Sequence, residues 1–355
     1  MKTIPLTPPA RTDFSAVRLP YAARRVSRAH MATLLTGSHR PQPGDLVLAR
    51  VDAIGQHGHI ELAGGRRSRL YEGDTIALVY GNRYAPDQFE AEVPDSLEPC
   101  HMVAAGGIAA TMLSRRSNVK VATRVTPLGL VADEDGWRLN VSRYALPAVG
   151  SVSHQPPVIA VLGTAMNAGK TETATQLIRG LVRGGWRVGA AKVTGTGAPG
   201  DTGNFVDAGA ARVLDFIDAG LATTYLASPE TVERVLVTLL DTLAHDAVDA
   251  IVIEVADGLL QRETRALIDS PVFRARVDGV LFAAGDAMGA IGGINMLRAA
   301  GLPVLAGTGC LTASPLSIRE SAAVHGLPVL DLAALSSPDV AGRLGLEHST
   351  IAVAA

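Results

Sequence analysis

Cysteine, lysine and the aromatic residues are scarce in this chain of 355 residues, and each scarcity excludes something. The two cysteines, Cys100 and Cys310, stand far apart, so the chain has no disulfide framework and a reducing cytoplasm is the expected compartment. A formal net charge of -2 supplies no basic field for nucleic acid. No uncharged apolar stretch is long enough to span a membrane, and the first thirty residues lack the apolar core of a signal peptide. The expected partner is therefore a small molecule or another protein. Of the 32 basic residues only four are lysine: Lys2, Lys120, Lys170 and Lys192. Where arginine serves as the general cation, a lysine marks a position at which a compact ammonium is required.

What the chain has is a hydrophobic fraction of 47% and a length that predicts two domains. From residue 44 to 144 the segments are short, alternating and turn-punctuated, which predicts a small β-rich module. Within it, "HMVAAGGIAATMLSRRS" (101–117) is compatible with one helix. Prolines and small polar residues at 146–157 read as a linker. The expected division is a β-rich domain over 1–148, a linker over 149–156 and a second domain over 157–355. In the latter, apolar runs such as "VIAVLG", "AIVIEVA" and "GVLFAAG" alternate with helical periodicity. That rhythm predicts an α/β fold with a doubly wound, mostly parallel sheet, because parallel strands need helical crossovers.

The stretch "VIAVLGTAMNAGKTETATQLIRGL" (158–181) sets a glycine-containing turn between a buried strand and a helix start. Free backbone N–H groups and the helix dipole converge there, which suits phosphate. Thr164, Ala165, Met166, Asn167, Ala168, Gly169 and Glu172 are the expected nucleotide-cradling residues. Lys170 is expected at the outer phosphates and Thr171 in a Mg²⁺ shell. The common spacing puts a glycine five residues before Gly169; here that position is Thr164 and the glycine is Gly163.

Further candidates lie at the ends of other strands, where ligands of open α/β sheets collect. Lys192 closes a strand and runs into Thr194, Gly195, Thr196 and Gly197, small residues that let a reacting anion approach. Glu254 ends an apolar strand, a costly place for a carboxylate unless a cation meets it. Asp207 is placed near a helix start, with Asp257 as a competing acid. Asp286, after a further strand, is expected near the acceptor. His57, His59, Cys100 and His101 match no standard zinc spacing, and the turn-like glycine context explains the first pair. Ser314 and Pro315 read as the cap and first residue of a helix.

The segments "GTAMNAGKT" (163–171), "GAAKVTGTG" (189–197), "NFVDAGA" (204–210) and "IVIEVADG" (251–258) together resemble the dethiobiotin synthetase branch of the P-loop proteins. Its relatives include cobyrinic acid amidating enzymes and the synthetase half of CTP synthase. In that family the loop opens Gly-Thr, which accounts for Gly163. The resemblance covers roughly 157–330. It implies ATP and Mg²⁺ as cofactors, Thr171, Asp207 and Glu254 as shared metal ligands, Lys192 positioning the phosphoryl acceptor, and a homodimer. Where dethiobiotin synthetase has Gly-Ala-Gly-Gly after its strand-end glutamate, this chain has Val255, Ala256, Asp257 and Gly258. The adenine-contacting asparagine has no counterpart in "AGTGCLTASP" (306–315), and the β-rich domain is foreign to that enzyme. The chain is also similar to two-domain proteins with an extra N-terminal domain before such a half, some of them connected with amino-acid N-acylation.

The implied activity is an ATP-dependent ligase: phosphorylation of a carboxylate or carbamate on a small metabolite, followed by amide or ring formation. The competing expectations are a small-molecule kinase and an accessory NTPase that switches a protein partner during cofactor maturation. Such switches in metal delivery carry Cys or His clusters beside the loop, and none stands there in the sequence.

Overall fold

The computed structural model describes residues 11–150 and 155–347. Residues 151–154, half of the expected linker, and the last eight residues of the expected second domain lie outside that range. The chain forms two compact units. The first takes in the chain up to Leu146 together with two later excursions, Thr196–Pro199 and Phe216–Tyr225. The second takes in the remainder. A reading that follows the chain in one direction sees one boundary near residue 148 and has no means of seeing the excursions. The Gly197 N–H donates to the Ala222 carbonyl at 3.0 Å, joining the two excursions to each other, and the Leu146 N–H donates to the Asp218 carbonyl at 2.7 Å, joining the second of them to the earlier chain.

In the first unit five strands close on one another: Leu46–Ala53, Thr75–Tyr80, Ile108–Arg115, Cys100–Ala104 and Thr123–Ala132 each pair with the next, and the last pairs with the first. All of these pairings are antiparallel except Thr75–Tyr80 with Ile108–Arg115, which run parallel. Closure buries both faces of a strand. Along Leu46–Ala53, Val47, Ala49 and Val51 enter one apolar cluster while Leu46 and Leu48 enter another, the period of two that a strand imposes. The stretch 101–117 is thus two strands and not one helix. Its alanines suit a helix, but Gly107 sits at φ 92°, and a Cβ there would fall 2.1 Å from Pro20. The chain reverses at that point and the helical reading fails.

The second unit is built on six strands: β1 (Val158–Gly163), β2 (Val188–Lys192), β3 (Arg212–Asp215), β4 (Ala250–Glu254), β5 (Gly279–Ala283) and β6 (Val304–Thr308). Their order is β3-β2-β4-β1-β5-β6, and every pairing is parallel. β1, β4 and β5 are buried at every residue, as strands covered on both faces must be. Among the described residues seven helices of six residues or more accompany the sheet: α1 (Lys170–Arg183), α2 (Pro199–Asp207), α3 (Pro229–His245), α4 (Arg262–Asp269), α5 (Pro271–Arg276), α6 (Ala287–Ala299) and α7 (Pro315–His325). α1 turns Ala174, Leu177, Ile178 and Leu181 into the core, the stripe expected of a helix lying on a sheet. Ser314 caps α7 by accepting from the Ser317 N–H, with Pro315 in the first turn. The register of β2 on β4 sets Lys192 beside Glu254 at the carboxyl ends of the strands. Among the described residues no helix is long and apolar enough to cross a membrane.

Candidate functional site: a phosphate loop with an acid pair

The loop between β1 and α1 takes its shape from two left-handed residues, Asn167 at φ 64° and Gly169 at φ 95°. They reverse the chain so that α1 starts at Lys170 with the first-turn N–H groups free of intrahelical partners. Gly163, displaced from the common spacing, has a steric reason to be glycine: a Cβ there would lie 2.8 Å from Lys170 Cγ and 2.8 Å from the Ala283 carbonyl. The lysine stem occupies the space a side chain at 163 would need. Lys170 is 6% exposed, and its Nζ donates to the Ala165 carbonyl at 2.8 Å, across the mouth of the loop. Burial lowers its pKa, and the carboxylates of Glu254 and Asp257 oppose that shift.

A cavity of about 440 Å³ opens beside the loop, lined by Lys170, Thr171, Lys192, Asp201, Glu254 and Asp257 among others. Thr171 Oγ1 lies 3.1 Å from Asp201 Oδ1 and 3.2 Å from Glu254 Oε1. A hydroxyl carries one proton, so it cannot donate to both. Glu254 is 2% exposed, and its Oε2 has no hydrogen-bond partner among the described residues. Burial pushes the Glu254 pKa up to about 7, against the pull of the Lys192 and Lys170 ammoniums. Lys192 Nζ forms an ion pair with Asp201 Oδ2. Burial acts against the charge of both partners, yet the Asp201 carboxylate holds the Lys192 pKa above the ordinary lysine value, and Lys192 holds that of Asp201 below the ordinary carboxylate value. The cluster thus has more oxygen acceptors than protons to fill them. That surplus, on a hydroxyl and two carboxylates, is the donor set a hard divalent cation takes.

The expected metal ligands are therefore placed unevenly. Thr171 and Glu254 come together, but Asp207 does not join them. Pro199 opens α2, so Asp207 falls at the far end of that helix, where it is exposed. Asp201, in the first turn, takes the position beside Thr171. The sequence signal for it was present: a proline followed two residues later by an acid marks a helix start. Thr194 is buried, and its hydroxyl donates to the Ala256 carbonyl, which ties the chain after β2 to the 254–257 turn. Gly195 follows at φ 136°, and Thr196 pairs with Thr223 as part of the first unit. Asp286 caps α6 through a 2.7 Å hydrogen bond from the Gly289 N–H, and the helix start accounts for it. Met166, Asn167, Gly169 and Glu172 line the cavity. Thr164 anchors the loop by its N–H to the Ala283 carbonyl at 3.0 Å, and Ala168 is buried beneath it. Asn204 and Ala256 also line the cavity and were not anticipated. Among the described residues no three His, Cys, Asp or Glu side chains gather as a metal set, so His57, His59, Cys100 and His101 form none.

No protein-family model and no curated protein matches the chain. Solved structures similar to it include the signal recognition particle 54 kDa protein from Aeropyrum pernix K1 in complex with GDP, at 20% identity over 55% of this chain and 47% of that one, with a TM-score of 0.38. The signal recognition particle receptor FtsY from Elizabethkingia anophelis, in complex with GDP, is similar at 16% identity over 53% of this chain and 60% of that one, with a TM-score of 0.38. The kinase domain of the Escherichia coli tyrosine kinase ETK is similar at 15% identity, with 42% and 64% covered and a TM-score of 0.31. The chain spans less than two thirds of each of these proteins, and the likeness is one of fold alone. The class follows from the chain's own sheet order and loop: an α/β unit of the phosphate-loop kind.

Proposed function

We propose that the chain is a Mg²⁺-dependent nucleoside-triphosphate enzyme that phosphorylates a carboxylate or carbamate of a small metabolite, an amino acid among the candidates, and so activates it for amide or ring formation. The observation that carries this reading is the surplus of acceptors at Thr171, Asp201 and Glu254 beside the phosphate loop. These three side chains would hold Mg²⁺. When bound, the ion would supply charge neutralisation at the transferring phosphoryl group.

The chain's own residues do the rest. Main-chain N–H groups at the start of α1 cradle the phosphates, and Lys170, freed from the Ala165 carbonyl, turns its ammonium toward the outermost one. Lys192, which lines the same cavity from the end of β2, offers a second ammonium to an anionic acceptor. Asp201 keeps that ammonium protonated and aimed. Phosphoryl transfer asks mainly for positioning and charge complementarity, which two ammoniums and a ring of amides supply. A homodimer remains part of this proposal.

The test is phosphate release by purified protein given Mg²⁺, a nucleoside triphosphate and candidate amino acids. Release that depends on one acceptor and yields a condensed product bears the reading out. A product carrying only an added phosphoryl group would make the chain a kinase. Hydrolysis indifferent to every small molecule would favour a protein-directed switch.

A further inference from the structure

The chain leaves β2 at Lys192, passes Thr196–Pro199 through the first unit and returns to the second in α2, whose first turn brings Asp201 back to Lys192 as an ion pair. The partners of that ion pair thus stand on either side of Gly197, a residue held inside the first unit. We propose that Gly106 is a positioning residue for phosphoryl transfer: from the first unit, and through Gly197, it fixes how Lys192 and Asp201 meet beside the phosphate loop. The inference rests on the reading of that pair given above and adds a task for the β-rich unit.

Gly106 and Gly197 meet backbone to backbone. A Cβ on Gly106 would fall 1.8 Å from the Gly197 carbonyl oxygen and 3.3 Å from Ala198 Cα, so only glycine lets the loop lie where it does. The seat is closed on its other sides. The Gly106 carbonyl accepts from the Ala22 N–H at 3.0 Å, the Gly197 N–H donates to the Ala222 carbonyl at 3.0 Å, and Thr196 bridges to Thr223. The segment that supplies Ala222 and Thr223 is itself clamped, because Asp218 accepts from Arg24 Nη2 at 2.6 Å and from Arg25 Nη1 at 3.1 Å. Little slack separates this seat from the cavity. On one side the Val193 N–H donates to the Glu254 carbonyl at 2.9 Å and the Thr194 hydroxyl donates to the Ala256 carbonyl, which leaves Gly195 and Thr196 to take up any shift before Gly197. On the other, Pro199 fixes the φ with which α2 begins, and Asp201 follows within the same turn. A displaced Gly197 therefore turns the start of α2 and draws Asp201 off Lys192.

The ion pair can be read without knowing the acceptor. The full chain would be treated with trace acetic anhydride, well below the unfolding transition of each variant, and acetylation followed by mass spectrometry. Lys120 is exposed and serves as the internal standard, whereas the Lys192 side chain is 12% exposed and reacts slowly while paired. Gly106→Ala should speed acetylation of Lys192 relative to Lys120 by about fivefold. Gly197→Ala is milder, since its Cβ meets the movable Ile217 Cδ1 at 3.0 Å, and carries the test if Gly106→Ala fails to fold. It should give a rise of about twofold, which adding Ile217→Val, by removing that atom, should return to the parent rate. Val51→Ala loosens the first unit from the apolar cluster that holds none of these residues, and should leave Lys192 at the parent rate. Labelling unmoved by the glycine variants, or moved as far by Val51→Ala, makes the seat mere packing; either result overturns the inference and leaves the proposed function standing. Absence of phosphate release from the parent with every candidate acceptor would overturn both.

Discussion

Two buried carboxylates, one in each unit, are treated in opposite ways. Asp45 in the first unit is fully buried and receives hydrogen bonds from the Gln42 N–H, Arg138 Nη1 and Asn140 Nδ2, each at 2.9 Å. Glu254 in the second unit is just as deep, yet one of its oxygens has no partner and its pKa is pushed up to about 7. Burying an acid is expensive, and a chain that meets the expense with internal donors has made an architectural joint. A chain that leaves it unmet has made a receptor for something positive. The first unit repeats the former pattern: Asp52 accepts from Thr126 and pairs with Arg50, and Asp74 pairs with Arg18. In the second unit the unmet oxygen of Glu254 stands at the carboxyl end of β4, beside the phosphate loop.

That contrast can be broken or sharpened by substitution. The largest effect is expected from Lys170→Ala, which removes the ammonium at the phosphate loop: acceptor-dependent phosphate release should fall by about 10²–10³-fold while the melting temperature stays within a few degrees, because a buried, desolvated cation adds little to stability. Asp45→Ala should do the reverse. It strands Arg138 and Asn140, and denaturant titration should show a loss of about 3–5 kcal/mol, with nucleotide binding unchanged below the new transition. Glu254→Gln decides between the two kinds of acid. Its Mg²⁺ affinity, followed by calorimetry with nucleotide present, should drop about 10–100-fold with no loss of thermal stability. A melting point lowered as far as that of Asp45→Ala would make Glu254 an architectural joint as well, and the comparison would fail.

A smaller effect tests the first unit through pH. Burial, and then the charge of Arg83, lower the pKa of His57 to about 4, while its Nε2 lies 3.1 Å from the Val103 carbonyl. The unfolded chain takes up a proton on this ring near pH 6.5 and the folded chain does not. Stability is therefore full above that pH and is lost progressively as the pH falls toward 4, by up to about 3 kcal/mol. Denaturation midpoints measured at pH 7 and 4.5 should show the fall, and His57→Gln should flatten it. The smallest effect belongs to Asp207→Ala, which should leave Mg²⁺-dependent binding within about twofold of the parent, whereas Asp201→Ala should not.

Much of the second unit was legible in the sequence because its signals are local. A buried strand, a glycine turn and a helix start follow one another within about twenty residues, and Lys170, Thr171 and Glu254 could be placed by their position at element ends. What was missed is of two kinds. Asp207 and Asp201 are six residues apart on one helix, and a shift in where that helix begins exchanges which of them faces the site. In the β-rich unit the strand reading fails at 101–117, where alanine content outweighs two glycines whose turn depends on Pro20, some ninety residues earlier. Contacts of that range leave no periodicity to read. The hydrogen bond of the Thr194 hydroxyl was equally invisible, since its partner, the Ala256 carbonyl, lies beyond an intervening helix and strand.

The two excursions at Thr196–Pro199 and Phe216–Tyr225 carry a consequence for how such a chain can be inherited or dissected. A gene fragment ending near residue 147 encodes a first unit stripped of its late-arriving pieces, and the complementary fragment carries those pieces with nothing to receive them. A single crossover near residue 147 would part the first unit from both of its late segments.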